Sequence, residues 1–293
     1  MSRNPKEIVA AEEARPDDQV TPDTEVVRSR RAIDPRSQQR WVGFSRRVAV
    51  VVVLFIAWEV WTRAFDINPL IFPSLSTVAT TAWDRILDGR LLGFAWQTVR
   101  LLLISHLIAT SIALLLTGLG AVLRPVRDLM ETMTAMFNPL PAIALLPLAI
   151  IWFGIGASSI VFVTANAALW PMTVSFLMGL TTTPKTVLAV GRNLGLRGPR
   201  LVLDVFVPSA LPHLISGWKN GWAFAWRTVV AAELVFGAAG RGGGLGWYIN
   251  VSRFSLETAD MMVAIFAIIA IGLMTEAAFS QLEKRTIRRW GMA

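Results

Sequence analysis

The residues able to do chemistry are few in this sequence. It contains no cysteine and two histidines, His106 and His213, far apart. Disulfides, thiolate metal sites and cysteine nucleophiles are excluded, and two distant histidines do not make a metal centre. No clustered carboxylates or serine dyad point to catalysis within a membrane. What remains is a set of polar side chains isolated in apolar runs: Arg100, His106, Asn166, Arg227 and Glu233. An ionisable group at the centre of a bilayer costs about 2.5–3.5 kcal/mol on insertion scales, so it faces a cavity or a partner. The guanidinium of Arg227 has the geometry to attract an oxyanion; the plainer alternative is a structural pair. Glu233 lies six residues further on, on a different face of the same helix, so the two do not pair directly. Arg227, Glu233, Asn166 and Trp226 are the candidates to line such a cavity. Glu233 has a structural reading beside that one, and Asn166 and His106 read equally as buried hydrogen-bonding groups. Trp218, Trp222 and Trp226 recur every four residues, a stripe that helix packing or lipid contact explains as well as a ligand does.

A second exception is the segment "VLAVGRNLGLRGPRLVLDVFVP", residues 187–208. Between oily stretches it places Arg192, Arg197, Arg200, Asp204, three glycines and a closing proline. Thr183 can cap a first short helix, with Pro184 at its first position and Val187, Val190 and Leu194 on one face. Gly195 can stop that helix in a left-handed turn. Gly198-Pro199 then starts a second helix, with Leu201, Val202, Val205 and Phe206 on one face and Pro208 as its end. Such a pair suits docking onto another protein; an ordinary connecting loop is the alternative.

The elements that position these residues follow from composition. The chain is 54% hydrophobic and 16% charged, against about 25% charged for a soluble domain. The apolar residues form six spans of membrane-crossing length, about 46–65, 94–121, 128–152, 158–181, 210–236 and 259–280. Pro139, Pro141, Pro147, Pro171 and Pro212 predict kinks in the third to fifth. Gly118 and Gly120 read as close-packing sites. Residues 1–40 carry eight basic and eight acidic residues and no sustained apolar face, so they form a largely disordered cytoplasmic tail. No short apolar core precedes a cleavage site there, so the tail is not a secretory signal. The expected organisation is this tail, a six-helix membrane domain at 41–285 holding the loop 184–208, and a cytoplasmic tail at 286–293.

Lysine and arginine set the orientation. With the N-terminus inside, the inner segments hold 17 basic residues and the outer segments 5. Both termini are therefore expected in the cytoplasm, as is the loop 184–208. Outside, "SLSTVATTAWDRIL" reads as a surface helix capped by Ser74 or Ser76, with Val78, Ala82 and Ile86 on one face. The net charge of +8 does not indicate nucleic acid, because the charges flank apolar spans.

The loop also resembles the cytoplasmic loop of bacterial ABC importer permeases, E-A-A-x3-G-x9-I-x-L-P. The register here is Ala189-Val190-Gly191-x3-Gly195-x9-Val205-Phe206-Val207-Pro208. Glycine and proline are kept and the acidic start is absent. "LIFPSLSTV" (70–78), "NPLPAIALLPLAIIWFGIGASS" (138–159), "VPSALPHLISG", "AFAWRTVVAAEL" and "GGGLGWYI" continue the similarity to the nitrate/sulfonate/taurine/bicarbonate-type subgroup over about residues 45–285. The resemblance implies an all-α, six-helix, type I importer fold. Two permeases, here a homodimer, would form the pore in the bacterial inner membrane, a cytoplasmic ATPase dimer would drive it, and a periplasmic binding protein would deliver a small oxyanion. It assigns ATPase coupling to Ala189, Arg192, Asn193, Leu194, Gly195, Leu196, Arg197, Val205 and Pro208, and makes Arg227, Glu233, Asn166 and Trp226 the candidates for the translocation path.

No G-x4-G-K-[ST] phosphate loop is present, so ATP and magnesium belong to the ATPase and this chain is expected to bind no cofactor or metal. "GRGGGLG" at 240–246 reads as a flexible outer loop. A neutral, aromatic or pyrimidine substrate is the alternative within the family. A secondary transporter is the alternative outside it, but no duplicated half is visible.

Overall fold

A computed structural model describes residues 35–201, 204–205, 207–236 and 243–287. Residues 1–34, the glycine segment up to Gly242 and the last six residues, with the expectations placed on them, lie outside that set. Among the described residues the chain is helical: α1 Pro35–Ala64, α2 Leu75–Leu87, α3 Arg90–Val122, α4 Arg124–Phe137, a 3₁₀ turn at Ala142–Leu145, α5 Leu146–Phe153, α6 Ala157–Thr182, α7 Lys185–Asn193, the single turn α8 Pro199–Leu201, α9 Val207–Phe236, α10 Leu245–Phe254 and α11 Thr258–Ile287.

The expected spans map onto α1, α3, the α4–α5 pair, α6, α9 and α11. Three stretches are by themselves long and apolar enough to cross a membrane, Arg90–Val122, Ala157–Gly179 and Thr258–Glu283. The pair Arg124–Phe137 and Ala142–Phe153 makes a fourth, bent by 96°. The third span was expected to kink, but here it breaks. Pro139 and Pro141 flank the gap and Pro147 sits in the first turn of α5, where a missing N–H costs nothing. Pro171 and Pro212, by contrast, lie inside continuous helices. α1 and α9, each of 30 residues, are about 45 Å long, enough to reach across; α1 carries more charge than those stretches, and α9 holds Lys219, Arg227 and Glu233.

The backbone contacts divide the chain into residues 1–54 and 55–293. In the first part, α1 already begins at Pro35, earlier than the tail boundary at 40 predicts, and Val48 and Val50–Leu54 are exposed. In the second, the main core joins α3, α6 and α9 through Leu102, Val163, Met172 and Val229. Small residues allow the close approach of α6 and α9: a Cβ on Gly221 would lie 2.4 Å from Met172 Cε. Gly120 is a close-packing site as expected, 2.9 Å in the same sense from Met130 Sδ, whereas Gly118 faces open space. A second cluster joins α2, α3, α10 and α11 through Val78, Leu91, Leu245, Tyr248 and Val263. The Ser74 hydroxyl caps α2 by accepting from Thr77 N at 3.3 Å. Val78 is buried as predicted, while Ile86 stays exposed.

Candidate functional site

The loop between α6 and α9 forms first from local rules. Thr183 does not cap α7: its hydroxyl turns back and donates to Gly179 O at 3.1 Å, serving the end of α6. Pro184 takes the N-cap position and the helix starts at Lys185. Gly195 ends α7 at φ 80°, and the Leu196 amide donates to Gly191 O at 3.1 Å, so the predicted left-handed stop is present. The second helix begins at Pro199 as predicted, with a turn at Pro199–Leu201 and π-helical backbone at 204–205. Pro208 does not end it, because it is the second residue of α9, where proline's fixed φ suits a helix start. Val202 and Phe206 lie outside the described residues. The two short helices meet through Gly191, whose missing Cβ would lie 2.9 Å from Leu201 Cδ1 and from Val205 Cγ2.

The other face of α7 is left uncovered among the described residues. Val187, Val190 and Leu194 recur at helical spacing and all three are exposed. Ala189, Arg192, Asn193 and Arg197 are exposed beside them, while Leu196, Val205 and Pro208 are half-buried. None of Lys185, Arg192, Arg197 or Arg200 forms a salt bridge among the described residues.

Of the four path candidates, two converge. Asn166 from α6 and Arg227 from α9 line one cavity of about 360 Å³, closed by the broken α4–α5 connection. Its polar lining is Asn138, Asn166, Arg227 and Thr228, and no carboxylate contributes. The wall is aromatic: Phe137 and Trp170 stack with centroids 5.0 Å apart, and Phe224 lies 5.8 Å from the Arg227 guanidinium. Arg227 is exposed and forms no salt bridge among the described residues. Asn166 is half-exposed and also lines a groove of about 680 Å³ between α3 and α6 that contains Gln97 and Arg100.

Trp226 lies away from this cavity, in the main core, because neighbouring residues on a helix point about 100° apart. Trp218 and Trp222 enclose His106 at 5.5 and 5.2 Å and pack on Phe279 at 5.4 and 5.8 Å. That stripe is helix packing. Neither ring nitrogen of His106 has a hydrogen-bond partner, so burial among aromatics replaces the expected polar contact.

Glu233 belongs to a different construction. It is 2% exposed, and one carboxylate oxygen accepts from Thr98 Oγ1 at 2.9 Å and from Gly246 N at 3.0 Å. Thr98 Oγ1 in turn accepts from Leu245 N at 2.8 Å. The first amides of α10 lack a side-chain cap of their own, since Gly244 has none to give, and α3 and α9 supply the acceptors instead. A Cβ on Gly244 would stand 2.1 Å from Thr98 Oγ1 and 2.2 Å from Glu233 Oε1; one on Gly246 would stand 2.4 Å from Val230 O. The end of the glycine-rich segment is therefore a packed seat and not a flexible loop.

Sequence reasoning missed Thr98, whose type and place in an apolar run gave no signal. It also missed two charge groups that were visible as ionisable residues near span ends. Asp260 accepts from Arg85 Nε at 2.6 Å and from the hydroxyl of Tyr248, which stacks on Phe94 with centroids 4.7 Å apart. Burial raises the Tyr248 phenol above its ordinary range, and the bond to Asp260 adds to it. Lys219 of α9 meets Glu276 of α11 at 2.6 Å.

Comparison with known proteins assigns this architecture. The description "binding-protein-dependent transport system inner membrane component" matches residues 109–288. The taurine transport system permease protein of Escherichia coli (strain K12) is 30% identical over 264 residues, covering 85% of this chain and 92% of its own. A protein of the same strain named for aliphatic sulfonates transport is 28% identical over 246 residues, 83% and 90% of the two chains. The riboflavin transport system permease protein of Chloroflexus aurantiacus is 28% identical over 269 residues, 87% and 94%. The chain belongs to the binding-protein-dependent inner membrane components: it is an ABC importer permease, a transport subunit that crosses the membrane several times.

Proposed function

We propose that two copies of this chain form the translocation path for a small oxyanion such as an alkanesulfonate, taurine, nitrate or bicarbonate in a bacterial inner membrane. The reading places both termini and the loop 184–208 in the cytoplasm, following the bias in basic residues. A cytoplasmic ATPase dimer, which holds ATP and magnesium, receives the exposed Val187–Val190–Leu194 face. A periplasmic binding protein delivers the substrate at the other end. Permease relatives named for taurine and aliphatic sulfonates support the substrate class.

The observation that carries the oxyanion reading is the cavity shared by Arg227 and Asn166. Its polar atoms include a guanidinium, two amides and a hydroxyl, and among the described residues no acidic group lines it to neutralise the cation. In a passage of low dielectric an unneutralised guanidinium lowers the barrier to an anion. The test is substrate uptake in proteoliposomes beside the melting temperature of the purified complex. Arg227→Gln should reduce uptake while assembly and basal ATP hydrolysis persist, and Arg227→Lys should restore part of it. Full uptake by the glutamine variant refutes the anion-path role. A second reading, an aromatic substrate, draws on the Phe137–Trp170 stack in the same wall and on the riboflavin relative. It requires that Trp170→Leu impair uptake more than Arg227→Gln does.

A further inference from the structure

Three helices of this chain close with the same hydrogen-bond pattern but with different residues at the left-handed position. α7 uses Gly195, as the pattern favours. α1 closes with Ile67 N donating to Thr62 O at 3.2 Å, and the left-handed residue is Asp66, φ 44°. α10 closes with Glu257 N donating to Ser252 O at 2.9 Å, and the left-handed residue is Leu256, φ 58°. Aspartate is tolerated in this region; leucine is strained there, and glycine would not be. Among the described residues these are the two non-glycine positions with positive φ. Both occur at one end of the molecule, where the Thr258 hydroxyl donates to Leu70 O and fastens the turn after α10 to the segment after α1.

Around that bond lies an apolar patch. Phe65, Leu70, Ile71, Phe254 and Leu256 are each between 59% and 74% exposed. It is continuous with the ends of two long helices: α1 finishes at Ala64 with Val60 and Trp61 exposed, and α11 starts at Thr258. Trp61 packs on Phe72 with centroids 5.7 Å apart. The Arg253 guanidinium lies 4.7 Å from the Phe254 ring centroid, and Asp66 and Glu257 are exposed in the same turns. Aromatic and aliphatic side chains mixed with charges at span ends match the head-group zone of a bilayer and not its hydrocarbon centre.

We propose that this patch is seated in the interfacial zone of the lipid bilayer and fixes the depth at which α1 and α11 emerge. The strained leucine is kept because glycine would relax the turn but remove its anchor. The proposal rests on the chain being a membrane protein and not on its substrate or on the cavity at Arg227.

The absence of native cysteine makes the test direct. Nitroxide labels are attached to single cysteines at Leu70, Leu256 and, as a control, the exposed Thr80 of α2. The assembled transporter is placed in nanodiscs of phosphatidylcholine and phosphatidylglycerol. Collision with oxygen, which concentrates in lipid, is compared with collision with a water-soluble nickel chelate. The expected result is a higher oxygen-to-nickel ratio at 70 and 256 than at 80. An equal ratio at all three sites overturns the proposal. So does shielding from both reagents at 70 and 256, which would mean that protein covers the patch. Because a label at 256 alters the turn itself, a second measurement uses Leu256→Gly with the label at Leu70. That variant should fold, and its Leu70 label should move toward water; an unchanged ratio there also overturns the anchor.

Discussion

Helix α9 connects two regions built on opposite plans. Beyond its C-terminal end, the start of α10 is held from within: Glu233 and Thr98 accept its first amides and Asp260 gathers Arg85 and Tyr248, while Glu233 Oε1, Asn250 Oδ1 and Ser252 Oγ stay unpartnered among the described residues. Before its N-terminal end, the 185–201 segment is held together chiefly by Gly191 against Leu201 and Val205, and its apolar face and cations are left open. A buried polar group gains from a partner inside the chain, because leaving it unpaired, as the His106 nitrogens are, costs about 1–3 kcal/mol. An exposed apolar face carries no such penalty and is completed by whatever binds it. The first region thus draws its contacts from within the chain, and the second presents an open face, which the proposed function gives to a partner.

The largest effect on stability should come from the α10 seat. Gly244→Ala puts a methyl group 2.1 Å from Thr98 Oγ1 and 2.2 Å from Glu233 Oε1, so the seat must open and the backbone must move. Overpacking of this kind costs about 1–3 kcal/mol, and the displaced amides of Leu245 and Gly246 add to it. Glu233→Ala removes the acceptor from Gly246 N and should cost about 2–3 kcal/mol, whereas Glu233→Gln keeps an oxygen and should cost less. Thermal denaturation of the purified complex measures all three. A Gly244→Ala variant that melts with the wild type would show that the seat is loose and would remove the contrast between the two regions.

The next effect is mixed. Gly195→Val places a β-branched residue at φ 80°, a strain of about 1–3 kcal/mol. The strain falls on a segment that little else holds, so the loop should rearrange while the α3–α6–α9 core survives. Transport and association with the ATPase should be lost, with a smaller drop in melting temperature than for Gly244→Ala. Co-purification and uptake are the readouts. Normal values for both would reduce the loop to a linker.

How much of this was legible beforehand depended on whether the signal was local. The left-handed stop at Gly195, the Ser74 cap and the helices carrying the long spans rest on neighbours in sequence, and all are present. Asn166 and Arg227 were legible only as two of four separate candidates, because 61 residues separate them and the broken α4–α5 connection brings the third wall. Glu233 carried a path reading and a structural one for the same reason: a carboxylate in an apolar run calls for donors. Those donors, Thr98 and the Gly246 amide, lie 135 residues before it and 13 after it, and one of them is backbone. Pro208 misled in a different way, since a proline can end one helix or begin the next, and only its place as the second residue of α9 decides which.

The smallest expected effect on stability separates the two plans most cleanly. Leu194 is 75% exposed at the end of α7, so Leu194→Asp removes no packing and leaves no polar group buried. Its cost should stay within about 0.5 kcal/mol, the range for surface substitutions. The same change at Leu245, which is fully buried under the α10 seat, introduces a carboxylate without a partner and should prevent folding or assembly. If the exposed face of α7 is the docking surface, Leu194→Asp should nevertheless abolish ATPase association, because an apolar contact is replaced by a charge that must be desolvated on binding. Leu194→Met keeps the apolar volume and should retain most of it. The informative measurement is the melting temperature of the permease alone beside its affinity for the ATPase. An unchanged melting temperature with lost affinity confirms a face left open for a partner. Retained affinity in the aspartate variant would mean that docking uses the basic residues around Leu194 and not its apolar face.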